Sequence, residues 1–290
     1  MDSTDFTIGL IGAGVMGKSM ALNLIDAGYT LHTYTRTKEK ATELIERGAT
    51  WKDSVAQLAA DSDVIISIVG YPSDVEEIYL SETGILANAK AGAYVIDMTT
   101  SSPLLAEKIA VLAKEKQIHA LDAPVSGGDI GAKNGTLAIM VGGEQDAFNA
   151  VKPIFEVIGQ HIMLQGDPGA GQHTKMCNQI TIASNMIGVC EAIVYAEHAG
   201  LNPEKVLETI TTGAAGSWSL TNLAPRMIAE NYAPGFYVKH FIKDMTIALE
   251  SAKAMGLTTP GIELSLSLYK RLADKGEQDS GTQALIKLFR

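Results

Sequence analysis

Gly12-Ala13-Gly14-Val15-Met16-Gly17 follows directly on the apolar run Thr7 to Ile11 and leads into Met16, Met20, Ala21 and Leu24, which recur at helical spacing up to Gly28. A second strand, Thr30 to Tyr34, is expected next. Strand, glycine turn, helix, strand is the setting in which this glycine spacing acquires a physical meaning. The glycines let the backbone turn tightly and approach a pyrophosphate, whose charge rests on the helix N-terminus. Gly12, Ala13, Gly14, Val15, Met16 and Gly17 are therefore expected to hold a dinucleotide.

Where the second strand ends, a free ribose 2′-hydroxyl is normally held by Asp or Glu. This chain has Tyr34-Thr35-Arg36-Thr37 there. A guanidinium flanked by two hydroxyls suits a 2′-phosphate, so NADP is preferred over NAD, with Thr35, Arg36 and Thr37 as contacts. Asp63 to Val69 and Ala93 to Asp97 are continuous apolar runs, as parallel strands buried on both faces require. Helical stretches near Val75 to Tyr79 and Pro103 to Lys114 alternate with them. A further strand from His119, then Thr136 to Val141 and Ile162 to Leu164 around a helix from Glu144 to Ile158, complete a doubly wound sheet. Ligands collect at the carboxyl ends of such strands, which places Val69 and Thr100 beside the cofactor.

The stretch from Gly169 to Gly200 predicts one long central helix, bounded by glycines with Pro203 beyond. From Met176 to Cys190 it carries no charge, and its apolar residues occupy every face, so it is expected to be buried all round. A membrane span would leave Asn178, Gln179, Ser184 and Asn185 expensive to bury, and no membrane partner is expected. Lys175 and Asn178 share a face near the helix start. An ammonium is a poor structural choice at a positive helix end, and the field there favours the neutral amine, as proton exchange requires. From Gly200 onward the pattern is helical, with Pro203 in a first turn after Asn202.

The fold class expected is α/β: an N-terminal Rossmann-type doubly wound parallel sheet, residues 1–166, followed by an all-α domain, residues 167–290, entered by the long central helix. A length of 290 residues supports two domains. A net charge of −10 without a basic cluster argues against nucleic acid. The polar start MDSTDF has no apolar h-region, so a cytoplasmic location is expected. Cys177 and Cys190, thirteen residues apart on one helix, are expected to be buried thiols, and the six histidines show no ligand spacing, so no metal site is expected.

Taken together, Gly9 to Gly17, Asp122-Ala123-Pro124-Val125-Ser126-Gly127-Gly128, Gly169 to Asn178 and Lys243-Asp244 resemble, in order and spacing, the β-hydroxyacid dehydrogenase family. The resemblance covers the whole chain. It implies that Lys175 is the catalytic acid/base assisted by Asn178, and that Ser126, Gly127 and Gly128 hold a small carboxylate substrate. It further implies that Phe236 lines the site and that Thr100 and Lys243 touch the cofactor. Arg36-Thr37 is similar to the NADP-using branch, with Thr35 where asparagine often stands. Decarboxylating relatives carry a glutamate where this chain has Ile182, and imine-reducing relatives replace the lysine. The activity implied is hydride transfer between NAD(P) and a small 3-hydroxy acid or semialdehyde, in a homodimer or homotetramer. The reading from another class is a catalytically silent NADP-binding sensor or assembly protein on the same fold.

Overall fold

The computed structural model describes residues 6–290. The chain divides into two compact units, Met1–Lys175 and Met176–Arg290.

The first unit is built on a sheet of nine strands: β1 (Thr7–Ile11), β2 (Thr30–Tyr34), β3 (Thr50–Trp51), β4 (Val64–Ser67), β5 (Tyr94–Asp97), β6 (His119–Asp122), β7 (Val125–Ser126), β8 (Leu137–Gly143) and β9 (Gly159–Gly166). The spatial order is β3-β2-β1-β4-β5-β6-β8-β7, with β9 paired to β8. The first six strands pair with one another in parallel. The order therefore reverses between β1 and β4, the switch point at which a doubly wound sheet opens a crevice. β1 and β4 alternate sides: Ile8, Leu10, Val64 and Ile66 enter one apolar core, whereas Ile11 and Ile65 enter the other. Both faces are covered by helices, which explains why these strands read as unbroken apolar runs.

β8 departs from the parallel pattern. It runs antiparallel to both β6 and β7, whereas β9 pairs with it in parallel after the intervening helix Gln145–Ile158. The strand expected at Ile162 to Leu164 is accordingly longer, Gly159–Gly166, because it follows β8 along most of its length. Thr50–Trp51 and the helices Val55–Asp61 and Gly128–Asn134 are short elements that the sequence pattern does not disclose.

The central helix is continuous from Ala170 to His198. Its first turns belong to the first unit and the remainder runs through the second. There Met176, Ala183, Met186, Val189, Cys190 and Ile193 enter the core of the all-helical second unit, with Phe241 and Met245 from the helix Val238–Ala254 and Tyr269 from Pro260–Leu272. The expectation of burial all round is corrected: Cys177, Thr181, Ser184, Gly188, Glu191 and Tyr195 form one exposed stripe. Those residues recur at spacings of three and four, and all but Glu191 and Tyr195 are small, so the charge-free composition conceals a stripe that the core does not need. Cys177 is thus exposed, not buried; Cys190 is buried, and burial pushes its thiol up to about 12.

Candidate active site

The first ligand-facing element is the turn between β1 and the helix Val15–Asp26. Gly12 has φ +107°, and a Cβ there would press on the backbone of Ile68; one at Gly17 would collide with the Gly12 carbonyl. Only hydrogen fits at either place, so strand, turn and helix close tightly. A Cβ at Gly14 would meet nothing within 4 Å. Gly14 is the N-cap of the helix and supplies no side-chain cap. An open position above uncapped helix amides fits a pyrophosphate, so the residues present suit a dinucleotide. Arg36 lies just beyond β2, its side chain 78% exposed and its Nη1 3.2 Å from Asp74 Oδ1. Asp74 also accepts from the Tyr71 amide through Oδ2 at 3.0 Å, which fixes the carboxylate at the start of the helix Pro72–Leu80.

The loops after β4 and β5 are locked together. Val69 donates its amide to Thr99 Oγ1 at 3.0 Å. Gln172, from the central helix, reaches this loop at two points: its Oε1 accepts from Ser101 N at 2.9 Å and its Nε2 donates to Thr99 O at 2.7 Å. Thr100 therefore projects from a loop pinned on either side.

Asp122, at the end of β6, sets where the central helix starts. Its two carboxylate oxygens accept from Gly169 N (2.7 Å) and Gln172 N (2.8 Å), capping the exposed helix amides with a negative charge. Burial pushes this carboxyl above its ordinary range, while the two backbone donors oppose the shift. The seat is too close for side chains: a Cβ on Gly171 would lie 2.6 Å from the Asp122 carbonyl oxygen. So placed, the helix carries Lys175 inward. Lys175 is 7% exposed, and its Nζ donates to Val125 O at 2.8 Å. Lys175 is thus not a solvent-facing lysine. The ammonium rests beside the strand that ends in half-buried Ser126 and passes into exposed Gly127 (φ +134°) and Gly128 (φ +63°).

The second unit holds the remaining candidates. Asn178 is half-buried and donates through Nδ2 to Gln179 Oε1 at 2.7 Å. Lys243 and Asp244 lie in the second turn of the helix Val238–Ala254, with Nζ and Oδ1 3.1 Å apart and side chains only 11% and 2% exposed. They are not a solvated pair. Phe236 is at the surface, 37% exposed, edge-on to Phe241 with ring centroids 5.7 Å apart.

Residues 7–166 match the family described as the NAD binding domain of 6-phosphogluconate dehydrogenase. Residues 169–289 match the NAD-binding domain of NADP-dependent 3-hydroxyisobutyrate dehydrogenase. The chain is 64% identical over 283 residues to an uncharacterized oxidoreductase of Bacillus subtilis, covering 98% of both chains. It is 39% identical to 2-hydroxy-3-oxopropionate reductase of Escherichia coli, over 97% of this chain and 96% of that one. Among solved structures it superposes on Mycobacterium tuberculosis 3-hydroxyisobutyrate dehydrogenase with L-serine, at a TM-score of 0.91 and 30% identity, covering 98% and 99% of the two chains. The chain belongs to the β-hydroxyacid dehydrogenase family.

It is an NAD(P)-dependent hydroxyacid oxidoreductase, and the comparisons lend no support to a silent sensor. Within the first unit of this dehydrogenase, the fold gathers residues far apart in sequence. Lys175 meets the carbonyl of Val125 just before the Ser126-Gly127-Gly128 turn, the loop bearing Thr100 is held by Gln172, and the Val69 amide is tied to that loop through Thr99. Several supporting residues escape a reading of the sequence: Asp97, Asp122 as a helix cap, Gln172, Gln179 and Asp244. Each is polar and buried. The motif around Gly169 was the one available signal for Gln172; nothing in the local pattern distinguishes Asp97 or Gln179 from ordinary polar residues. Asp97 accepts through Oδ1 from Ser67 Oγ (3.0 Å) and Thr99 N (3.1 Å), and Ser67 in turn meets Tyr79 Oη at 3.0 Å. Burial pushes its carboxyl up to about 6 against these hydrogen bonds.

Proposed function

We propose that this dehydrogenase interconverts a small 3-hydroxy acid and its semialdehyde, with Lys175 managing the proton and NADP as the preferred cofactor. The observation that carries the reading is the buried Lys175 ammonium anchored on Val125 O, next to the Ser126-Gly127-Gly128 turn. A desolvated amine anchored on a backbone carbonyl in reach of a polar turn is suited to exchange protons with a substrate oxygen. Small hydroxy acids are the substrates named for its relatives: the E. coli protein is a 2-hydroxy-3-oxopropionate reductase, and the M. tuberculosis structure carries L-serine, itself a 3-hydroxy acid.

The residue roles follow from their chemistry. Gly12, Ala13, Gly14, Val15, Met16 and Gly17 offer backbone amides to the cofactor pyrophosphate, and Thr35, Arg36 and Thr37 offer donors to a 2′-phosphate. Val69 and Thr100 lie on loops at the strand ends and contact the cofactor as well; the resemblance adds Lys243 to these contacts and Phe236 to the residues lining the substrate. The nicotinamide, when bound, supplies or takes up the hydride. Ser126, Gly127 and Gly128 hold the substrate carboxylate through a hydroxyl and unhindered amides. In reduction Lys175 gives a proton from Nζ to the carbonyl oxygen; in oxidation the neutral amine accepts it. Asn178 orients the same oxygen or the lysine. A panel of succinic, tartronic and methylmalonic semialdehydes and glyoxylate, each with NADPH and with NADH, tests the proposal by cofactor consumption. Turnover with at least one semialdehyde, faster with NADPH, is expected; no turnover across the panel would overturn it.

A further inference from the structure

Two buried residues outside the proposed site connect two residues within it. Asp244 Oδ2 accepts from Gln179 Nε2 at 2.6 Å, Gln179 Oε1 accepts from Asn178 Nδ2 at 2.7 Å, and Lys243 Nζ lies 3.1 Å from Asp244 Oδ1. Gln179 and Asp244 are each 2% exposed. The sequence Lys243, Asp244, Gln179, Asn178 is therefore one polar chain within the second unit, shielded from water over its middle two members.

The direction of this chain is fixed by chemistry. A carboxylate has only acceptors, so the Gln179 amide must turn its NH2 toward Asp244. That leaves Gln179 Oε1 at the other end, which again accepts only. Asn178 must then present its own NH2 to Gln179, and its Oδ1 is left as the end not committed to the chain. Without Asp244 the two ends of each carboxamide would be nearly equivalent in shape, and either orientation of Asn178 would be available. The consequence for chemistry is specific. An Asn178 whose oxygen is the uncommitted end accepts from a substrate hydroxyl or an ammonium, whereas the reversed amide would donate instead.

We infer that Asp244 and Gln179 are positioning residues: the Asp244 charge, passed through Gln179, sets the orientation of the Asn178 amide, and the same carboxylate holds Lys243. The inference rests on the proposed role of Asn178 at the substrate oxygen or the lysine. A buried ion pair contributes little net stability, because desolvation offsets its attraction. Orientation of the residues at its two ends is a use that does not depend on stability.

The test is a double-mutant cycle read in kcat, in the cofactor KM and in thermal unfolding. Gln179→Met keeps the length of the side chain and removes the amide. It is expected to lower kcat by about tenfold to a hundredfold, the scale of a misplaced catalytic contact, with the cofactor KM unchanged. Asp244→Asn is expected to lower kcat similarly and also to raise the cofactor KM, since Lys243 loses the carboxylate charge 3.1 Å from its Nζ. In an Asn178→Ala background, Gln179→Met should change kcat by less than about twofold, because the residue it positions is gone. An equal loss of kcat in both backgrounds would mark Gln179 as merely structural and overturn the inference. So would wild-type kcat in Gln179→Met alongside a large loss in Asn178→Ala. If Asp244→Asn fails to fold, the Gln179→Met cycle decides alone. Wild-type kcat in Asn178→Ala would instead overturn the proposed role of Asn178 itself, and the inference with it.

Discussion

Asp97 ends β5 directly before the loop that carries Thr99 and Thr100, and it is 6% exposed. Burial pushes its carboxyl from 3.8 up to about 6, and the neighbouring Asp122 charge acts in the same direction. The folded state thus disfavours the carboxylate. Because the folded value lies above the unfolded one, the advantage is fully present below about pH 4 and is lost as pH rises through about 6. Two pH units at about 1.4 kcal/mol each give about 3 kcal/mol of stability forfeited by neutral pH. Asp97→Asn removes this ionisation while Asn Oδ1 can still accept from Ser67 Oγ and Thr99 N. Whatever constant cost the new NH2 group incurs is independent of pH. The stability of Asp97→Asn relative to wild type should therefore climb between pH 4 and 6 and level off above 7, by about 3 kcal/mol in all. Urea unfolding of both proteins at half-unit pH intervals measures it, with a probe in the first unit so that unfolding of the second does not obscure the transition. A stability difference that stays flat from pH 4 to 8 would refute the claim that Asp97 is buried at a charge cost.

Lys175→Ala is expected to lose ~10²–10⁴ in kcat while NADPH affinity holds within a few-fold, as for removal of a positioned acid/base. Unfolding experiments should show a cost of about 1–3 kcal/mol, because the Val125 carbonyl loses its donor; wild-type turnover in this variant would remove the lysine from the mechanism. Lys175→Arg should fail as well, since a guanidinium does not release its proton near neutral pH. For Arg36→Ala, titration should give NADPH binding weaker by about 1.5–3 kcal/mol and NADH binding nearly unchanged, whereas equal losses would show that Arg36 does not meet the 2′-phosphate. Thermal stability should hardly move, because the Arg36 side chain in its pair with Asp74 is mostly exposed. Sedimentation should find a dimer or a dimer of dimers whose contact includes the Cys177-Thr181-Ser184-Gly188 stripe, and a monomer at micromolar concentration would count against it.

Local pattern carries far in this chain. The glycine turn after β1, the buried parallel strands and the start and end of the central helix each depend on interactions within a few residues or on a simple periodicity. They are legible for that reason. The candidate site is legible only in part. Lys175, Ser126 and Arg36 announce themselves through motifs. Asp122 and Gln172 stand within motifs, but their supporting roles do not show there, because capping a helix from a strand some fifty residues earlier leaves no local mark.

The sequence by itself determined the order of elements along the chain, the doubly wound class of the sheet, and the residues able to do chemistry, because these rest on backbone preference and on side-chain type. The tertiary structure alone decided environment. It left one stripe of the charge-free helix exposed, because burial depends on what packs alongside and not on composition. It buried Lys175 against the Val125 carbonyl and withdrew Lys243 and Asp244 from solvent. It also oriented Asn178 through Gln179, since the direction of an amide is set by partners that only folding brings within hydrogen-bond reach.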